Sequence, residues 1–168
     1  MKYFVIVSCL LLLCFAMPCF AQTSQPPAYS EIVGIGANWN QYASPQINPT
    51  FFWAHKVLEG TYSFNLVDVT FVRGADSAGK LQTMTSMTPG IAQHMRDIGP
   101  VKIYGVATVG VATGVKTGLA WSSGLASYWG LGKGWGVMGI YRALSVPDPV
   151  INQNVIQGAF GLSITWGK

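Results

Sequence analysis

Between residues 115 and 129 the chain alternates strictly. The odd positions are Val115, Thr117, Leu119, Trp121, Ser123, Leu125, Ser127 and Trp129, mostly large and apolar. The even positions are Lys116, Gly118, Ala120, Ser122, Gly124, Ala126 and Tyr128, mostly small or polar. Side chains of a strand point to opposite faces in turn, so this pattern predicts a β-strand with two unlike faces. The last segment behaves likewise: Ile156, Gly158, Phe160, Leu162, Ile164 and Trp166 oppose Gln153, Val155, Gln157, Ala159, Gly161, Ser163 and Thr165. In 101–111 the apolar set is Val101, Ile103, Gly105, Ala107, Val109 and Val111, against Lys102, Tyr104 and Thr108. In 133–143, Trp135, Val137 and Tyr141 oppose Gly134, Gly136 and Arg142, with Met138 and Ile140 blurring the second face.

Four further segments, 29–40, 50–58, 61–73 and 80–96, alternate less cleanly. In 61–73 the residues Tyr62, Phe64 and Leu66 share a face with Asp68, and a bulge or strand end near Val67 is expected there. Pro89 removes a backbone donor from the fourth segment and weakens it as a strand. The eight strands are joined by connections that alternate in length. The stretches 41–49, 74–79 and 145–150 are longer, whereas 59–60, 97–100 and 130–132 are tight, and the short 113–114 link departs from the alternation. Strands joined by such tight turns are antiparallel neighbours, so the predicted topology is an up-and-down meander. No helical period and no apolar run of ~18 residues occurs after residue 22, which leaves membrane helices out.

Residues 1–21 are different in kind. Lys2 precedes an apolar stretch from Tyr3 to Phe15, and Cys19 and Ala21 occupy the −3 and −1 positions of a cleavage site. This predicts a secretory signal peptide cut after Ala21, then a short linker at 22–28 and one domain at 29–168. All three cysteines, Cys9, Cys14 and Cys19, lie in the leader, so disulfides and thiol chemistry drop out of the exported chain. Losing Lys2 leaves nine basic and six acidic residues, and no basic run offers a nucleic-acid footprint.

The scarcity of charge decides how the meander closes. Charged residues make up only 10% of the chain, whereas a solvated surface carries roughly 25–35%. A lipocalin-like barrel, apolar inside and charged outside, fits this poorly. A membrane barrel has an apolar outer band, aromatic edges and small or polar residues within, and fits it well. The predicted fold is therefore an all-β, eight-stranded antiparallel up-and-down transmembrane β-barrel. Lys102, Lys116, Arg142, Arg96 and Gln157, with Glu31, are expected to line the lumen. Trp121, Trp129, Trp135, Tyr141 and Trp166, with Trp39 and Trp53, are expected at the membrane interfaces.

The last strand, Gly158-Ala159-Phe160-Gly161-Leu162-Ser163-Ile164-Thr165-Trp166, and the stretch Gly132-Lys133-Gly134-Trp135-Gly136-Val137 followed by Tyr141-Arg142 carry a resemblance. With the leader and the cysteine-free exported chain, they resemble the small eight-stranded bacterial outer-membrane β-barrels, the OmpX-type proteins and the OmpA membrane domain. The resemblance implies residence in a Gram-negative outer membrane, contact with its lipids, and a monomer with both termini in the periplasm. It also implies recognition of the last strand by the barrel-assembly machinery. That family's terminal aromatic residue is matched by Trp166, and Gly167-Lys168 beyond it is a departure.

Candidate chemistry is sparse. His55 and His94 stand apart, without the further ligands a metal site needs, so no metal or other cofactor is expected. The acids are scattered and no Gly-x-Ser-x-Gly elbow exists. The expected role is a non-catalytic envelope protein, structural or surface-interacting through its loops. Three alternatives stand beside it: a narrow, anion-leaning pore through the lumen; a lipid-modifying enzyme using His55 with Asp68 or Asp76 and Ser77; and a soluble lipocalin-like ligand binder.

Overall fold

The computed structural model describes residues 29–40, 46–73, 81–147 and 153–168. They form eight strands: β1 (Glu31–Asn40), β2 (Gln46–Leu58), β3 (Thr61–Arg73), β4 (Leu81–Ile98), β5 (Val101–Gly114), β6 (Gly118–Gly132), β7 (Trp135–Pro147) and β8 (Asn154–Gly167). Each pairs antiparallel with its sequence neighbour, and β8 pairs with β1 to close the barrel. Closure leaves no strand edge, so the wall's backbone groups pair within the protein, as hydrocarbon requires.

The registers define the stagger. A path across paired residues runs Val101, Trp129, Val137, Ile164, Ile35, Phe51, Val67, Met87, Val111, and so re-enters β5 ten positions above its start. Ten residues of stagger over eight strands tilts the strands by roughly 40° and sets a barrel radius of roughly 8 Å. Every residue on that path is apolar.

At one end, three two-residue turns separate β2 from β3, β4 from β5 and β6 from β7. Lys133 and Gly134 both take positive φ, 52° and 84°, the backbone of a type I′ hairpin, whose twist matches the flanking strands. Gly60 (φ 72°) and Gly99 (φ 58°) serve the other two turns. Both termini of the barrel lie at this end, and the β1–β2, β3–β4, β5–β6 and β7–β8 connections lie at the other.

Several sequence expectations are corrected. β2 begins at Gln46 rather than Thr50, with Pro49 paired to Ala37, because Asn48 and Thr50 continue its inward face. β7 runs on to Pro147, paired with Asn154, so part of the expected 145–150 loop is strand. Val115 to Thr117 form the β5–β6 link instead of starting β6. No bulge occurs near Val67: Asp68 stays in phase, paired with Thr50 and Ser86. Register shifts fall instead near the turns, at Lys56/Leu58, His94/Arg96 and Gly130/Gly132. β4 runs through Pro89 and is the longest of the eight strands, at 18 residues. The ring faces outward, and Thr88 and Pro89 are not paired with β5.

Candidate functional site

The barrel offers two surfaces on which a function can act, its outer belt and its lumen. Outward positions carry the apolar residues the alternation predicts. Ile35, Phe51, Met87, Val109, Leu125, Phe160, Leu162 and Ile164 are all exposed. An apolar surface continuous around a molecule is not left to water. At the tilt above, each residue adds roughly 2.5 Å of height along the axis. Trp129, Trp135 and Trp166 then lie within about 5 Å of the level of Val101, while Trp39 and Trp121 lie roughly 20 Å higher. The two tryptophan levels bracket the belt as aromatic girdles bracket a band ~25 Å tall. Trp39 stacks on Phe160, with ring centroids 6.1 Å apart. Tyr141 is exposed and lies between these levels, paired with Leu125 and Phe160. Trp53 also lies between them, opposite Val33 and Asn65.

The lumen differs from expectation in its termini half. Small polar residues were expected throughout, yet Phe52, Tyr62, Phe64, Leu66, Tyr104, Val106, Tyr128, Met138 and Ile140 fill this half as one apolar cluster. Phe52 meets Phe64 at 5.4 Å between centroids, and Tyr62 meets Tyr104 edge-on at 6.0 Å. The space left is a cavity of about 30 Å³. Tyr29 closes the floor: its carbonyl accepts from the Tyr62 hydroxyl at 3.2 Å, and its own hydroxyl accepts from Gly134 N–H at 3.2 Å.

Higher in the lumen a polar network appears beside a smaller apolar cluster of Met84, Ala112, Ala120, Leu144, Val146 and Ala159. Arg142 donates from Nη2 to Asp68 Oδ2 at 2.6 Å, and both side chains are 1% exposed. The other carboxylate oxygen accepts from Asn38 Nδ2 at 2.6 Å and from Thr50 Oγ1 at 2.8 Å. Arg142 Nη1 also reaches Ser122 Oγ at 3.5 Å, and the Ser122 and Thr108 hydroxyls are 2.8 Å apart. Burying either charge alone is costly; paired and hydrogen-bonded, they are held.

Of the other residues singled out in the sequence, Lys102 lies half-buried near the turns, 3.5 Å from Asp97, which also lies 2.8 Å from His94 Nε2. Arg96 is exposed beside the register shift, and Lys116 is half-buried in the β5–β6 link. Gln157 is buried toward the loop end, and its amide has no partner among the described residues. Glu31, expected in the lumen, instead meets His55 at 3.5 Å on the outer face. His55 and Asp68 therefore stand on opposite sides of the wall, and Asp76 and Ser77 lie outside the described residues. Among the described residues no group of three or more His, Cys, Asp or Glu could hold a metal ion.

The role of Asp68 was missed in the sequence, though two signals were there. Asp68 falls in phase with Tyr62, Phe64 and Leu66, and Arg142 falls in phase on its own strand. What joins them is closure across 74 residues of chain.

No protein-family model and no curated protein sequence matches the chain. Among solved structures it resembles the outer membrane protein Ail of Yersinia pestis in a phospholipid nanodisc, at 11% identity and a TM-score of 0.54, covering 82% of this chain and 98% of that one. It also resembles Neisserial surface protein A, at 11% identity and a TM-score of 0.56, covering 80% and 92%. These likenesses establish the fold as that of small eight-stranded barrels.

Proposed function

We propose that this chain is an outer-membrane β-barrel of the bacterial envelope, non-catalytic, with a structural or surface-interacting role. The carrying observation is the belt: outward apolar residues on every strand, bracketed by tryptophans at two levels, around a lumen already filled. The two similar structures are of proteins named for the outer membrane and the cell surface, which supports the same location. On this reading the termini and tight turns face the periplasm. The strand ends opposite the tight turns then lie on the external side, and the connections between them are the candidate contact region for external partners. The last strand, with Ile164 and Trp166 on its outer face, is the recognition element for the assembly machinery, and outer-membrane lipids are the belt's partners.

The lumen supports a non-conducting barrel. A path past Phe52, Tyr62, Phe64 and the Asp68–Arg142 pair would have to break a packed cluster and a buried ion pair. The separation of His55 from Asp68 supports a non-enzymatic role in the same way. Fractionation tests the location: recovery in the outer membrane, with gel mobility that changes on heating, is the expected result. A soluble periplasmic protein would instead favour the lipocalin reading. In planar bilayers the refolded barrel is expected to give no unitary current steps.

A further inference from the structure

Beside the outward serines Ser63, Ser123 and Ser127, the outer belt carries an amide near mid-depth. Asn65 faces outward from β3, half-buried, between Trp53 on β2 and Pro89 on β4, its cross-strand partners. By its register it lies roughly 14 Å above the level of Val101, about midway between the two tryptophan levels. Its amide makes no hydrogen bond to any described residue. Beside it the β4–β5 ladder keeps its register but lacks pairing at Thr88 and Pro89, since proline has no N–H to give. Thus an unpartnered amide and a gap in the strand ladder meet at the depth where hydrocarbon tolerates neither. The site is also recessed. Asn65 and Ser63 are half-buried between exposed Trp53 and His55 on one side and exposed Pro89 and Ile91 on the other.

We propose that this face of β3 and β4 is where two copies of the chain meet in the membrane, with Asn65 against Asn65. Acyl chains carry no donor or acceptor, and lipid headgroups do not reach mid-depth. A second copy satisfies the amide by geometry. A closed pair of copies inserted in the same direction and meeting through the same face is related by a twofold axis along the membrane normal, so each residue meets its counterpart at equal depth. Asparagine carries both donors and an acceptor, so two facing amides satisfy each other, and such contacts drive association within membranes. The family resemblance implies a monomer, and closure removes every strand edge. The contact proposed here needs no edge, only side chains.

The inference rests on the membrane reading, and the experiment separates the two. Cys9, Cys14 and Cys19 are the only cysteines in the sequence, and replacing them with Ala leaves a thiol-free background. In it, Ser63→Cys places a thiol beside Asn65, and Ser127→Cys places one at similar height on β6, where the native hydroxyl already donates to the Gly139 carbonyl. Fractionation comes first: a soluble protein overturns the membrane reading and this inference together. In outer membranes treated with a short bifunctional thiol reagent, Ser63→Cys is expected to give a product of twice the chain's mass, and Ser127→Cys little. Adding Asn65→Leu to Ser63→Cys should lower that product about fivefold, with heat-dependent gel mobility retained. Asn65→Val serves as the second variant if the leucine form fails to fold. Equal yields at the two cysteines, insensitivity to loss of the amide, or a product of another mass would overturn the proposal.

Discussion

The two halves of the lumen differ in that only one of them is built around a buried ion pair. Near the termini the filling is aromatic and aliphatic, with Phe52, Phe64, Tyr62, Leu66 and Ile140 packed like a soluble protein's core. Toward the loops a small apolar cluster around Met84, Leu144 and Val146 is joined by the Asp68–Arg142 pair with Asn38, Thr50 and Ser122 around it. The first half tolerates gradual change, because apolar contacts add in small increments. The second is all-or-none, since removing one ion strands the other where water does not reach. A barrel this narrow is sealed by either route, but the two seals fail differently.

Mutations should separate them. The largest effect is expected for Asp68→Ala, which leaves Arg142 buried without its counter-charge and should cost about 3–5 kcal/mol in urea unfolding of the refolded protein. Replacing both partners, Asp68→Leu with Arg142→Met, is expected to recover most of that loss. If the double variant is as unstable as the single one, the all-or-none description of this half fails. Next comes the wall outside both seals. Leu162→Arg puts a charge on the lipid face near mid-depth, at about 2–4 kcal/mol, and should block insertion into liposomes as read by heat-dependent gel mobility. In the apolar half, Ile140→Val should cost only about 1 kcal/mol. Smallest of all, Gln157→Ala removes a buried amide that has no partner among the described residues and should change stability by less than about 0.5 kcal/mol. A loss as large as that of Asp68→Ala would show that the amide belongs to the polar seal.

Much of the wall was legible in the sequence. The alternation in 118–130 and 156–166 placed Leu119, Leu125, Trp129, Phe160, Leu162 and Ile164 outward, as found. Tight turns gave antiparallel neighbours, because two residues reverse a chain in only one way. The interior was less legible. Tyr62, Phe64 and Leu66 look like a lipid-facing set beside a misplaced Asp68. They are inward because β3 is enclosed by its neighbours in register, and the outward face of that strand is Thr61, Ser63, Asn65, Val67 and Val69. The same parity explains Met138 and Ile140, which blur a face in the sequence and pack together inside the barrel. Pro49 falls in an expected connection and Pro89 in a strand expected to be weak, but a proline whose ring points outward leaves the strand intact around it.

By itself, then, the sequence determined the strand count, the antiparallel order and the apolar outward rows, because each depends on contacts between near neighbours along the chain. It also determined that residues 29–168 carry no thiol, since all three cysteines precede them. Only the tertiary structure decided which inward residues meet. Asp68 finds Arg142, and Tyr29 finds Gly134, through the ten-residue stagger that closure sets. That stagger is a property of all eight registers together, so no single strand encodes it. It also put Asn65 on the outward face opposite Trp53 and Pro89, far from either end of the barrel.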